Sequence, residues 1–284
     1  MHPARRLWTT LEPLHDVVYF APGVRDAGVS IGLKGFWMTY FAFRAAPLGP
    51  VGAGAVVAAF AGFHSAMVAK ALPGAWSRTT PAACLRARSS VSRDALRAAG
   101  VDEDACAWAV RRLAPVIAQA DPTGRPLFAA NAELELPEDP VAALWQVATT
   151  LREHRGDGHV ALLLAHEVTG LEAHLLQVAA GRFPDGVMRS VRGWPEDEWA
   201  AAAERLRARG LLDSHDPSCL TEAGRTVLES IEVQTDERAW SGALAELSPE
   251  GVEAVVDALR PSSAALWASG ILPEVNPTGL PRPT

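Results

Sequence analysis

Arg205-Leu-Arg-Ala-Arg-Gly-Leu-Leu212, followed by Leu220-Thr-Glu-Ala-Gly-Arg225, decides how the second half of this chain is read. Basic residues and Gly210 close a helix. Leu211-Leu212-Asp213 and Cys219-Leu220 then read as two short strands around the turn Ser214-His-Asp-Pro-Ser218, and Thr221 opens a long helix through Ile231. Upstream, Trp194-Pro195-Glu-Asp-Glu198 starts the helix that Gly210 ends, with Trp199, Ala202, Ala203 and Leu206 turned inward. Thr169-Gly-Leu-Glu172 is a capping box leading into a helix that ends at Gly181. Before it, Asp139-Pro140 caps a helix whose inward face is Val141, Leu144, Trp145, Ala148 and Leu151. Gly156 is expected to end that run, and a separate helix is expected from His159 to Val168.

Helix, helix, helix, hairpin, helix is a winged-helix order. Residues 140–235 resemble the MarR-like regulators through the two segments quoted first. The whole chain is also similar to an actinobacterial family labelled helix-turn-helix. That resemblance is carried by Gly35-Phe-Trp-Met-Thr-Tyr-Phe41, Arg44-Ala-Ala-Pro-Leu-Gly49, Arg152–His159 and Arg192-Gly-Trp194. The label describes a fold and implies no particular activity.

The first half, to about Leu136, reads as helical. Val29–Ala45 carries Phe36, Trp37, Tyr40, Phe41 and Phe43, an aromatic density that implies deep burial, and stops at Pro47-Leu-Gly-Pro50. Val51–Leu72 reads as the next helix, with weaker patterns over Ser92–Gly100 and Asp102–Gln119. The loop Asp121–Pro137 is the expected boundary. The expected fold is therefore mainly α: a helical domain over 1–136 packed on a winged-helix domain with a small β-hairpin over 137–245. A helical, Pro-rich extension over 246–284 completes it.

With 284 residues, 49% hydrophobic and 21% charged, the composition is that of a globular chain. Cys84, Cys106 and Cys219 are scattered, which fits neither a disulfide framework nor a zinc cluster. No apolar run follows Met1–Arg6, and Val51–Ala69, interrupted by His64 and Ser65, reads as a buried helix rather than a membrane span. A cytoplasmic protein without a membrane partner is expected.

Charge argues against nucleic acid. The net charge is −7, and residues 140–240 hold ten arginines, no lysine and sixteen acidic residues, 10 − 16 = −6. Glu196, Asp197 and Glu198 open the helix that would enter a DNA groove, and the wing tip holds Asp213, His215 and Asp216 without a cation. Arg205, Arg207 and Arg209 are the one local stripe that could meet phosphates, and only a dimer would bring two such stripes together.

Arg152-Glu-His-Arg-Gly-Asp-Gly-His159 carries the densest chemistry. Read as a helix junction with Asp157 as N-cap, it offers backbone N–H groups with Arg152 and Arg155 for a carboxylate, sulfate or phosphate. Asp157 or Glu153 would be the base, and His154 or His159 the proton shuttle. The competing reading is a salt-bridged, capped junction. Arg44, ending a buried aromatic helix, needs a partner: a ligand anion in a pocket lined by Trp37, Tyr40 and Phe41, or a carboxylate such as Asp26 or Glu12. Tyr19 and His15 are near enough in sequence to join that pocket.

His159 and His166 share a helix spacing without a metal-binding pattern, so neither metal nor cofactor is expected. The expected protein binds a small anionic organic molecule. As an enzyme of actinobacterial secondary metabolism it would eliminate or displace a sulfate- or phosphate-like group by acid–base chemistry, with or without ring closure. The alternative is a ligand-responsive winged-helix regulator. A homodimer or protein partner stands beside both, the Pro-rich tail from Pro273 to Thr284 being the sole feature suggesting a scaffold.

Overall fold

The computed structural model describes residues 1–274 other than Pro217, together with Thr278 and Leu280. The rest of the Pro-rich tail lies outside the described residues. Helices α1 (Pro3–Phe20), α2 (Val24–Ser30), α3 (Gly35–Ala45), α4 (Ala53–Phe60) and α5 (Ser65–Ala71) are followed by α6 (Pro81–Ala98), α7 (Glu103–Gln119) and α8 (Pro126–Ala132). The long α9 (Pro140–Ala165) leads to α10 (Gly170–Ala179), α11 (Asp185–Arg192) and α12 (Glu196–Ala208), and the chain closes with α13 (Glu222–Gly242) and α14 (Ser248–Ala268).

The expected break at Gly156 does not occur. Asp139 Oδ1 accepts the N–H groups of Val141 and Ala142, each at 3.0 Å, and the helix then runs unbroken for 26 residues. Two internal glycines each disfavour a helix by about 1 kcal/mol. Tertiary packing outweighs that cost, because α9 is enclosed by α1, α6, α7, α8 and α13. Gly158 has its own reason: a Cβ there would stand 2.7 Å from Arg125 Nη1, the atom that donates to the His154 carbonyl. Asp157 is consequently mid-helix, and no helix start exists at 156–159 to bind an anion.

The expected boundary near Leu136 does not separate two cores. Leu14, Val17, Phe41, Leu113 and Leu127 pack in one cluster with Val141, Leu144 and Trp145 from the first half of α9 and Val255 and Leu259 from α14. The second half of α9 supplies Leu162 and Leu163 to a smaller cluster with Leu175, Leu176, Trp199, Leu206 and Ile231. One helix therefore belongs to both cores, and α10–α12 with the start of α13 form a small unit on the larger body.

The expected hairpin is also absent. Among the described residues the pairing is a single antiparallel bridge, Leu212 with Leu220, and there is no strand. Each arm has too little length for a ladder, because Gly210 ends α12 just before Leu211 and Thr221 already caps α13, its hydroxyl accepting from Gly224 N–H at 3.0 Å.

Two expected long helices in the first half are each divided. Gly32 and Gly35, at φ +94° and +67°, turn the chain between α2 and α3. Between α4 and α5, Ala61 sits at φ +55°, where a non-glycine residue is strained. This corner latches the small unit. The Gly62 carbonyl accepts from His174 Nε2 and Trp194 Nε1, both at 3.0 Å, and His64 N–H donates to the Arg192 carbonyl at 3.0 Å. Gly170, first in α10, lies so close that a Cβ would overlap the Ala61 carbonyl oxygen. Gly170→Ala is expected to lower stability by about 1–3 kcal/mol through overpacking, read as a fall in the urea midpoint. An unchanged midpoint would mean the corner moves away freely.

Among the described residues no single helix is long and apolar enough to cross a membrane. The apolar pair α3 and α4 is bent by 89°.

Candidate functional site

The latch and the shared helix leave a cavity of about 1400 Å³ between the larger body and the small unit. Trp8 and Tyr19 reach it from α1, Trp37, Tyr40 and Arg44 from α3, and Phe60 and Phe63 from the strained corner. On α9, Arg152, Arg155, Gly156, His159 and Leu163 line it, a stripe at the three- and four-residue spacing that puts side chains on one helix face. His174 of α10 and Met188 and Arg192 of α11 close the far side.

All six residues expected to contact a ligand, Tyr19, Trp37, Tyr40, Arg44, Arg152 and Arg155, thus face one cavity, and His159 joins them. Glu153, His154 and Asp157 occupy the other faces of α9. Sequence reasoning misses His174, Arg192, Phe63 and Trp8 as lining residues, although Arg192-Gly-Trp194 is one of the segments that carry the family resemblance. Their convergence depends on the bend at Ala61, which no local pattern encodes.

Glu153 lies beneath the wall as an ion-pair bridge. Arg44 grips it with two parallel bonds, Nε to Oε1 at 2.9 Å and Nη2 to Oε2 at 3.1 Å, and Arg152 Nη1 donates to Oε1 at 3.0 Å. Arg152 Nε also donates to Glu12 Oε1 at 3.3 Å, and Trp8 Nε1 to Glu12 Oε2 at 2.9 Å. Burial alone would raise the Glu153 pKa, but Arg44 and Arg152 hold it far below the usual carboxylate range. A carboxylate so bound is a poor proton acceptor. Arg44 therefore pairs with Glu153, not with the expected Asp26 or Glu12.

Two of the three other expected acid–base residues, Asp157 and His154, are structural in their contacts. Asp157 Oδ2 accepts the Phe128 N–H at 2.9 Å and so caps α8 from a neighbouring helix, because Arg125, at the cap position, provides no side-chain cap. Burial pushes its pKa up to about 6. His154 packs edge-on against Phe128, ring centres 4.8 Å apart, and its buried Nε2 has no hydrogen-bond partner among the described residues. Burial and Arg125 pull its pKa down to about 3, which keeps the ring neutral.

A second network borders the same cavity. Arg155 Nη2 meets Asp236 Oδ1 at 3.0 Å, and Arg5 meets Glu232 at 2.6 Å and Asp236 at 2.8 Å. The two guanidiniums also lie 4.6 Å and 5.5 Å from the Trp8 ring centre.

The balance of charge in and behind the wall is positive. Arg88, 3% exposed, bonds the Phe43 carbonyl, Asn131 and Gln146 and, among the described residues, no carboxylate. Burial lowers its pKa only to about 10, so it stays charged. Arg192 stacks 4.4 Å from the Phe63 ring centre. Arg5, Arg44, Arg88, Arg152, Arg155, Arg182 and Arg192 against Glu12, Glu153, Glu232, Asp236 and Glu274 give 7 − 5 = +2. Burial, reinforced by Glu12, raises the nearby Asp16 carboxyl well above its usual range and favours its neutral form. This excess suits an anion.

The face a DNA-binding protein would use is differently arranged. Gly193, in the left-handed conformation at φ 74°, and Pro195 set a tight turn between α11 and α12. The exposed start of α12 is Glu196, Asp197 and Glu198, and Glu198 reaches back to His64 at 3.2 Å. The arginine stripe is occupied by its own unit. Arg205 bonds Glu172 at 3.1 Å, Arg207 pairs with Glu204, and Arg209 donates to the carbonyls of Glu167 at 2.7 Å and His166 at 3.2 Å. Among the described residues, no group of three His, Cys, Asp or Glu side chains is placed to hold a metal ion.

A tight turn at Gly193 and Pro195 joins α11 to α12, and both helices belong to the small unit. A model of the Helix-turn-helix family matches residues 4–273, and the chain belongs to that family. No curated protein and no solved structure matches the chain.

Proposed function

We propose that this helix-turn-helix family member binds a small organic anion with an aromatic or planar part in the cavity between its larger body and its small unit. The observation carrying this reading is a single cavity of about 1400 Å³ lined by Trp37, Tyr40, Phe60 and Phe63 on one side and Arg44, Arg152, Arg155 and Arg192 on others. Apolar walls with a few convergent charged groups are the usual make-up of a ligand site. Elimination of a sulfate- or phosphate-like group has weaker support, since Glu153 is held by two arginines and Asp157 caps α8. A ligand-responsive regulator is the second reading, favoured by the family and by the α11–α12 turn, and disfavoured by the acidic start of α12.

The test uses 8-anilinonaphthalene-1-sulfonate, a planar anion, followed by its own emission and by quenching of tryptophan. Saturable binding at micromolar concentration is expected. It should be lost in Ala173→Trp, which fills the cavity from α10, and kept in Asp157→Asn, which lies outside it. Binding that ignores Ala173→Trp would place the dye elsewhere and remove the reading. A duplex titrated by anisotropy from low to moderate salt separates the regulator, which requires affinity falling steeply with salt.

A further inference from the structure

Three neutral side chains in the cavity wall have spent their hydrogens inside the protein. Thr149 Oγ1 donates to the Trp145 carbonyl at 2.8 Å, so towards His15 Nδ1, at 2.9 Å, it acts as acceptor. His15 therefore carries its hydrogen on Nδ1, and its bare Nε2 accepts the Tyr19 hydroxyl at 3.0 Å. Tyr19, which lines the cavity, therefore keeps lone pairs only.

The same logic sets His159. Thr235 Oγ1 donates to the Ile231 carbonyl at 2.7 Å, so His159 Nδ1, at 3.1 Å, must be the donor to Thr235. Its Nε2 is left as an acceptor without a hydrogen-bond partner among the described residues. On α10, His174 Nε2 donates to the Gly62 carbonyl at 3.0 Å, which leaves Nδ1 as the acceptor. Residues lining one cavity from three helices, α1, α9 and α10, thus each retain a lone pair and no free hydrogen. Burial keeps both cavity imidazoles in the neutral form this requires, with Arg155 and Arg5 adding to the effect at His159 against Glu232, and Arg192 adding to it at His174.

We propose that the ligand is a hydroxylated organic anion, its acidic group held by the arginines and its hydroxyl hydrogens donated to Tyr19 and His159. This rests on the reading that the cavity binds a small molecule, and it narrows the ligand class. An anion without donors would leave these acceptors desolvated and unpaired, which lowers affinity. An ammonium group in place of the hydroxyl is disfavoured by the excess of guanidiniums in and behind the wall.

The probes are 2-naphthoate, 5,7-dihydroxy-2-naphthoate and 6-(aminomethyl)-2-naphthoate, whose alkyl amine is an ammonium at neutral pH, each competing against the bound dye. The dihydroxy acid is expected to compete about tenfold better than 2-naphthoate, the effect of one to two hydrogen bonds. Tyr19→Phe and His159→Leu should each reduce that ratio to about threefold or less. Because the readout is a ratio between competitors in the same variant, it is independent of how well the variant holds the dye. Circular dichroism confirms folding, and either variant alone suffices. Equal competition by the first two acids, a ratio unmoved in both variants, or a preference for the amino acid overturns the proposal while leaving the binding reading intact. Absence of any dye binding overturns both.

Discussion

Glu153→Gln is expected to destabilise the fold by about 3–5 kcal/mol, the usual effect of removing one partner from a buried ion pair. The glutamate is 1% exposed and pairs with two guanidiniums at once. Glutamine is nearly isosteric, so the effect isolates charge from packing. Arg152 retains Glu12 at 3.3 Å, whereas Arg44 retains the Phe60 ring, 4.0 Å away, and no carboxylate. Removing the stranded cation as well, in Glu153→Gln/Arg44→Met, should recover part of the loss. Urea midpoints of the parent, the single variant and the double variant decide the matter. A loss below about 1 kcal/mol, the range of exposed pairs, would mean that water reaches the cluster and that the cavity floor is soft.

Acidification should destabilise the protein steeply between about pH 6.5 and pH 4. His15, His154, His159 and His174 are all held below the ordinary histidine value by burial, the last three to about 3, 4 and 3 respectively. In the unfolded chain each takes up a proton near pH 6.5. The unfolded state therefore binds more protons throughout this window, and stability rises with pH across it. The contribution is fully present above pH 6.5 and is lost as pH falls towards the folded values. Each such proton is worth about 1.4 kcal/mol per pH unit. Asp157, raised to about 6, acts in the opposite sense, since the folded state then holds the extra proton. Its single proton offsets only part of the histidine effect. Melting temperatures from pH 8 to pH 4.5 measure the slope, and His154→Phe should flatten it by about one proton. A profile that stays level to pH 5 would show that the imidazoles are hydrated.

Several of the residues that line the cavity are legible in the sequence, because aromatic density and buried arginine are local signals. Trp37, Tyr40 and Arg44 announce a deep, charged helix whatever it packs against. The acid–base roles were not legible, because they depend on the phase of one helix. Read as a junction, Arg152–His159 puts its side chains around an N-terminus. As part of an unbroken helix, the same residues fall on different faces, with Arg152, Arg155 and His159 towards the cavity and Asp157 towards α8. Gly-Asp-Gly is a normal terminator, and only the enclosure of α9 by five helices and the reach of Arg125 across Gly158 override it. The α4–α5 corner was hidden for a related reason. Its strain at Ala61 is sustained by partners more than a hundred residues away, at Gly170, His174 and Trp194.

The unbroken α9 has a consequence for anyone dissecting the chain. At 1.5 Å per residue it is a rod of about 39 Å, clamped by one core at its first end and by another at its second. Excising the small unit at the loop before Asp139 would strip Val141, Leu144 and Trp145 of their neighbours and present an oily stripe to solvent. Such a fragment would clump or stick to surfaces, and apparent DNA retention by it would say nothing about the intact protein. The regulatory question belongs to the whole molecule, in which the rod makes the small unit and the wall of the cavity parts of one lever.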